Sequence, residues 1–303
     1  MKKILVIAGP TGVGKTKLSV ALAKLYNGEI ISGDSMQVYR NMDIGTAKIT
    51  ESEMQGVPHY FIDSHDFDEE YNVKVFQEQA RKYIDDMIER GKLPIICGGT
   101  GLYIKSLVYD YKFVDQDKDD TFMEFLKQRS DDELWSILEI VDEETAKTLH
   151  RNNRQRIIRA LSMAHDGQKK SEILEEQEHK PIYDAYIIGL TMDRQRLYER
   201  INQRVDIMME QGLKQEIEQL YGLKKEKVWD LQSFKGIGYK EWKPYFDKQE
   251  SEEDCVEKIK KNSRNFAKRQ YTWFKNQMDV HWYDVEADNF QEQVEIDVKE
   301  WLK

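Results

Sequence analysis

Gly9, Pro10, Thr11, Gly12, Val13, Gly14, Lys15 and Thr16 fit the pattern G-x-x-x-x-G-K-[ST]. The chemistry this pattern serves is polyphosphate binding. Its glycines let successive backbone N–H groups turn inward around phosphate oxygens, and a helix opening at the loop adds partial positive charge. Lys15 can bridge phosphates, and the Thr16 hydroxyl can hold a magnesium ion. The loop does not specify its polyphosphate; ATP is the common ligand of such loops.

Two further groups follow β-type runs. Asp34 and Ser35 come after residues 29–32 by way of Gly33, and Thr100 comes after residues 93–97 by way of Gly98 and Gly99. In open α/β sheets ligands sit beyond the carboxyl ends of the strands, so these side chains are expected beside the phosphate loop. A carboxylate there can accept a proton from a nucleophile or position magnesium. It can equally cap a turn, and spacing alone does not separate these roles for Asp34. Thr100 supplies a hydroxyl at the head of a helix, where an N-cap is the simplest role. A phosphate-loop ATPase would place an acid at the end of an apolar strand. Residues 93–97 run into Gly98 instead, and residues 60–63, ending in Asp63, are the better candidate.

Near the other end, residues 261–275 carry Lys261, Arg264, Lys268, Arg269 and Lys275 with no acid, interleaved with Phe266, Tyr271, Trp273 and Phe274. Phosphate pairing combined with base stacking is what a single-stranded RNA site requires. Aromatic residues are mainly core material, however, so Phe266 and Trp273 also suit packing.

These residues need elements to position them. Strand-like runs at 4–8, 29–32 and 93–97 alternate with helical patterns at 15–26, where Leu18, Leu22 and Leu25 share a face, at 73–90, closed by Gly91, and at 101–109. Such alternation predicts a parallel α/β sheet with helices on both faces. From 115 to 180 the pattern is polar and helical, and 182–190 returns to the sheet. Helices are then expected at 194–221 and 237–246 and from Ser251, whose spacing to Asp254 suits a capping box. Residues 280–283 read as a late strand. The organisation expected is a core of residues 1–114 and 181–303, interrupted by a helical insertion domain at 115–180.

The 303 residues include only two cysteines, Cys97 and Cys255, far apart in sequence. A disulfide framework is not expected, and a reducing, cytoplasmic setting fits. The first apolar run is too short for a signal core or a membrane span, and no later stretch reaches spanning length. A net charge of −10, from 46 basic and 56 acidic residues, would argue against nucleic acid if charge were evenly spread. It is segregated, with acids enriched over 115–144 and bases over 258–275.

Taken together, the motifs resemble the tRNA dimethylallyltransferases, or isopentenyl-tRNA transferases. The resemblance rests on residues 9–16, on Asp34, Ser35, Gln37 and Tyr39, on 42–48 and 98–103, and further along on 155–161, 235–240 and 267–274. The 42–48 stretch is its most specific part. Arg151, Arg154 and residues 58–63 depart from the usual pattern. The resemblance implies a phosphate-loop α/β core with a helical insertion, dimethylallyl diphosphate as donor, and magnesium. The implied acceptor is N6 of the adenosine 3′-adjacent to the anticodon, in tRNAs reading codons that begin with U. It implies Asp34 as the base facing N6 and Thr100 as an assistant near the donor. Arg204 is then a further diphosphate ligand beside residues 9–16. The implied tRNA contacts are Asp34, Ser35, Met36, Gln37, Thr100, Gln155, Arg156, Ile157, Ile158, Arg159, Lys235, Gly236, Ile237, Gly238, Tyr239 and Lys240. On the basic helix they are Lys268, Arg269, Gln270, Tyr271, Thr272, Trp273, Phe274 and Lys275. A monomer with no membrane partner, binding the anticodon stem-loop, is expected.

Two other readings share parts of this pattern. A small-molecule kinase would explain the phosphate loop but not the basic aromatic helix. A non-catalytic RNA-binding protein with a nucleotide site would explain the helix but leave Asp34 and Thr100 without a task.

Overall fold

The computed structural model of the chain describes residues 1–113, 119–176 and 179–303. The first strand, β1 (Lys3–Ala8), is fully buried from Ile4 onward. Leu5 and Ile7 belong to one apolar cluster, and Ile4, Val6 and Ala8 to another, so the strand must be covered on both faces. There follow α1 (Lys15–Leu25), β2 (Gly28–Ser32), the short α2 (Glu51–Met54), β3 (His59–Tyr60), α3 (Val73–Glu89), β4 (Leu93–Gly98) and α4 (Gly101–Val108). A helical stretch comes next: α5 (Asp120–Lys127), α6 (Asp131–Val141), α7 (Glu143–Thr148), α8 (Arg154–His165) and α9 (Lys170–Glu176). The chain then gives β5 (Asp184–Thr191), α10 (Arg194–Glu210), α11 (Leu213–Lys224), a run of 3-10 turns, α12 (Lys243–Phe246), α13 (Glu252–Gln277), β6 (His281–Asp284) and α14 (Phe290–Leu302).

The strands form one six-stranded sheet in the order β3-β2-β4-β1-β5-β6, and every pairing is parallel. Register fixes what comes next. Ile7 pairs with Cys97 and with Ile188, and Ser32 pairs with Cys97. The chain therefore leaves β1, β2, β4 and β5 at one level of one sheet edge. Leu18 and Leu22 of α1, Leu197 and Ile201 of α10, and Val294 and Val298 of α14 cluster with the Leu5 face. Phe76 and Ile84 of α3, Ile104 of α4, Ile217 of α11 and Phe274 of α13 cluster with the Ile4 face.

The chain divides into two compact units, Met1–Tyr109 with Pro181–Lys303, and Asp110–Lys180. The second has its own apolar core, built from Leu126, Leu134, Leu138, Ile157 and Leu161. It begins at Asp110, whereas composition suggested 115; residues 114–118 lie outside the described residues.

Three sequence expectations need correction. Leu25 is 53% exposed, because α1 ends there and turns it from the sheet. The helix expected over 194–221 is two helices, since Gly212 adopts φ 99° and opens α11 in a new direction. Residues 237–246 are not one helix but a turn, a 3-10 segment (Lys240–Trp242) and the short α12, with Gly238 at φ 101° and Pro244 at the start of α12. The capping box at Ser251 and Asp254 is present, and Gly91 follows α3 at φ 68°.

Candidate active site

The phosphate loop leaves β1 at its carboxyl end. Gly9 has φ 141°, and a Cβ there would sit 2.8 Å from the Leu190 carbonyl oxygen of β5, so only glycine fits. The first turn of α1 contains no acid to neutralise its N-terminal charge. Lys15 Nζ donates to the carbonyl oxygens of Gly9 and Pro10 at 3.0 and 2.8 Å. Burial lowers its pKa to about 8; Cys97 and Asp34 pull it upward and Arg204 downward. Thr16 is exposed at the head of α1.

Asp34 follows β2 and closes its own turn. Its Oδ1 accepts from the Met36 and Gln37 N–H groups at 2.8 and 3.4 Å. Among the described residues Oδ2 accepts no hydrogen bond. Thr100 occupies the N-cap position of α4, but its hydroxyl makes no capping bond. Its N–H lies 3.4 Å from the Gly33 carbonyl oxygen, which sets the ends of β2 and β4 side by side. Arg204, from α10, donates to Thr11 Oγ1 at 3.4 Å and to the Ala47 carbonyl oxygen at 3.3 Å. Burial lowers its pKa, while Asp34 and Glu53 oppose the shift.

Two cavities adjoin here. The larger, about 660 Å³, is lined by Gly12, Gly14, Lys15, Thr16, Cys97 and Gly99. The smaller, about 360 Å³, is lined by Ser35, Met36, Gly45, Ala47, Thr100 and Arg269, with the loop from Lys235 to Lys240. Thr11, Asp34, Thr46, Arg204 and Phe266 line both. Asp63 lines neither; its carboxylate receives Lys48 Nζ at 2.6 Å. Of the two candidate acids, Asp34 therefore lines the phosphate-loop cavity and Asp63 does not.

On α13, Lys268, Arg269, Tyr271, Thr272 and Lys275 are exposed. Lys268, Arg269 and Lys275 have no acidic partner among the described residues. Arg269 lies 5.8 Å from the centre of the Phe266 ring. Three expected RNA contacts on α13 need revision. Phe274 is fully buried in the core, and Gln270 is 6% exposed with both ends of its amide engaged. Its Oε1 accepts from Thr11 N–H and its Nε2 donates to the Gly99 carbonyl oxygen, each at 2.9 Å. Trp273 is half-buried, with ring atoms 2.2 Å from where a Cβ on Gly101 would stand. Tyr239 is likewise buried, and its hydroxyl donates to Glu216. Within the Asp110–Lys180 unit, Gln155, Arg156 and Arg159 are exposed on α8 and Ile158 is half-buried. Ile157 is core, so its side chain is not available to RNA.

Sequence reading passes over Gln270 as a brace between the two loops, and passes over Lys48 and Glu216. Gln270 falls on the same helical face as Ala267 and Phe274, a spacing that marks it as inward-facing. Glu216 and Lys48 carry no local signal, because their partners are distant backbone groups and carboxylates.

A phosphate loop at the carboxyl end of a parallel sheet, with a carboxylate and an arginine shared between its cavity and a second one rimmed by cations, is the layout of a group-transfer protein. Comparison with known proteins narrows this. Residues 37–277 match the family model described as IPP transferase. A tRNA dimethylallyltransferase of Bacillus anthracis is 53% identical over 289 residues, covering 94% of this chain and 91% of that protein. A tRNA dimethylallyltransferase of Bacillus cereus (strain B4264) is also 53% identical, covering 94% and 90%. Among solved structures, the tRNA isopentenylpyrophosphate transferase of Bacillus halodurans is 42% identical with TM-score 0.76, covering 100% of this chain and 97% of that one. A eukaryotic dimethylallyltransferase acting on tRNA is 32% identical with TM-score 0.86, covering 99% and 79%. The chain belongs to the IPP transferase family.

Proposed function

We propose that this protein transfers the dimethylallyl group of dimethylallyl diphosphate to N6 of the adenosine 3′-adjacent to the anticodon, in tRNAs reading codons that begin with U. The observation that carries the reading is the shared wall. Asp34 and Arg204 face both the phosphate-loop cavity and the cavity rimmed by Lys235, Lys240 and Arg269. A donor diphosphate in the first and a nucleobase in the second meet at Asp34.

An exocyclic adenine amine is a weak nucleophile, so the site must hold it near C1 of the donor and stabilise the departing charge. Backbone N–H groups of residues 12–16, Lys15 and Arg204 receive the diphosphate. The C1–O bond breaks, its electron pair leaves with diphosphate, and the N6–C1 bond forms. The N6 proton passes to Oδ2 of Asp34, the oxygen not engaged in the turn. Thr100 offers its hydroxyl beside this carboxylate.

The residues present suit Mg2+. Among the described residues no group of three His, Cys, Asp or Glu could cage an ion. The Thr16 hydroxyl would hold the ion beside the diphosphate, a sparse oxygen donor of the kind Mg2+ accepts. When bound, the ion would neutralise charge on the leaving diphosphate. Exposed Lys268, Arg269 and Lys275, with Lys235 and Lys240, supply contacts for the anticodon loop, whose unpaired bases are open to extrusion.

Incubating the protein with dimethylallyl diphosphate and tRNA, followed by nucleoside mass analysis, tests this. The expected result is one dimethylallyl addition to a single adenosine. Phosphorylated product from ATP, with tRNA unmodified, would instead establish the kinase reading.

A further inference from the structure

Residues 42–48 form an irregular loop that supplies Gly45, Thr46 and Ala47 to the smaller cavity. One carboxylate holds it. Glu216, half-buried on α11, accepts through Oε2 from the N–H groups of Asp43 and Ile44 at 2.8 and 2.7 Å. Its Oε1 accepts from Gly45 N–H at 3.1 Å and from the Tyr239 hydroxyl at 2.6 Å. Three successive backbone N–H groups around one carboxylate form an anion nest occupied by the protein's own side chain. A glutamine could not reproduce it, because in either orientation its NH2 would face at least one backbone N–H.

The same carboxylate joins a second loop. The Tyr239 ring is buried so closely on Gly45 that a Cβ there would lie 2.5 Å from it. Tyr239 belongs to the Lys235–Lys240 stretch, which also lines the smaller cavity. Beyond Gly45, the Ala47 carbonyl oxygen accepts from Gln37 Nε2 at 3.2 Å and from Arg204 at 3.3 Å. Glu216 thus fixes two loops around the acceptor cavity and, through Ala47, the orientation of Gln37 and Arg204. It makes no hydrogen bond to residues 9–16.

We infer that Glu216 is a positioning residue for the acceptor side of the site, holding the nucleobase pocket in register with Asp34. This rests on the transferase reading above. In Glu216→Gln, kcat/KM for tRNA is expected to fall about 10- to 100-fold, the scale of a small misplacement. Donor diphosphate affinity should fall much less than kcat/KM for tRNA, because Glu216 reaches the donor side only through Ala47 and Arg204 and makes no hydrogen bond to residues 9–16. Tyr239→Phe, which deletes one of the donors, should show a smaller loss. The double variant should be no worse than Glu216→Gln, since both changes interrupt one unit. Amide exchange in a peptide spanning residues 43–45 should quicken in Glu216→Gln, a readout that needs no catalysis.

An active wild type with Glu216→Gln within about twofold of it in kcat/KM for tRNA, or equal losses in donor affinity and tRNA turnover, overturns the inference. If Glu216→Gln does not fold, Tyr239→Phe decides: wild-type kinetics and exchange in that variant also overturn it. A wild type that transfers nothing to tRNA sinks the transferase reading instead, and the exchange measurement still decides whether Glu216 anchors the loop.

Discussion

Asp34 closes its own turn with one oxygen, and Asp34→Asn separates that structural role from the proton transfer proposed for the other. The amide carbonyl can still accept from Met36 and Gln37 N–H, so the turn and the thermal midpoint should persist. The amide nitrogen cannot take the N6 proton. Turnover should fall roughly 10²-fold or more while tRNA and donor affinities change little; near-normal single-turnover rates would make Asp34 purely structural. Lys15 gives a pH signature. Free of ligand it titrates near pH 8, lowered mainly by burial. A bound diphosphate favours the ammonium, so the complex holds more protons than the free protein above that pH. Donor affinity, measured by calorimetry, should therefore weaken as pH rises through about 8, and Lys15→Ala should bind weakly at every pH. For folding the sign is opposite. The pKa lies below the ordinary lysine value of 10.5, so the unfolded chain binds more protons between the two. The cost of burying this ammonium is full below about pH 8 and is relieved toward 10.5.

Among the elements, α13 does most to join the two loops of the site, and it does so through Gln270. Gln270→Glu retains an acceptor for Thr11 N–H but leaves the Gly99 carbonyl oxygen without its donor, and sets a carboxylate beside the phosphate loop. The loss of a buried hydrogen bond costs about 1–3 kcal/mol. A fall in melting temperature together with weaker donor binding is expected; unchanged donor affinity would show that the brace does not shape the loop. The sheet is legible in the sequence, because β1, β2, β4 and β5 are short apolar runs, and the first three lead into ligand-type motifs. The phosphate loop, Asp34 and Thr100 are legible because a strand must precede them and fixes where they point. Gln270, Glu216 and Tyr239 are not. Each acts on groups far away in sequence, and in a linear reading Gln270 and Tyr239 sit inside motifs that suggest RNA. The break at Gly212 escapes a linear reading because apolar periodicity continues through it, with Leu213, Ile217 and Leu220 still facing inward.

At the scale of the whole molecule, a chain of net charge −10 must offer tRNA a local cationic surface. Exposed side chains on α13 provide one, since Lys268, Arg269 and Lys275 are not neutralised by acids among the described residues, whereas Lys260 of the same helix is paired with Asp206 at 2.7 Å. Neutralising Lys268, Arg269 and Lys275 together should weaken tRNA binding and flatten its salt dependence. The log–log slope should shrink by roughly 0.7 for each single-strand phosphate that no longer meets a cation. Donor binding should change less than tRNA binding, because none of these cations lines the phosphate-loop cavity. Trp273→Ala provides the control in the same helix. Its ring rests on Gly101, so truncation should lower thermal stability, by less than the roughly 3–5 kcal/mol of a fully buried aromatic. The salt slope should be unaltered. Filter-binding titrations across a salt series distinguish the two variants. A triple variant with the wild-type slope would move the phosphate-binding surface off α13, and exposed Arg156 and Arg159 on α8 would become the next positions to neutralise.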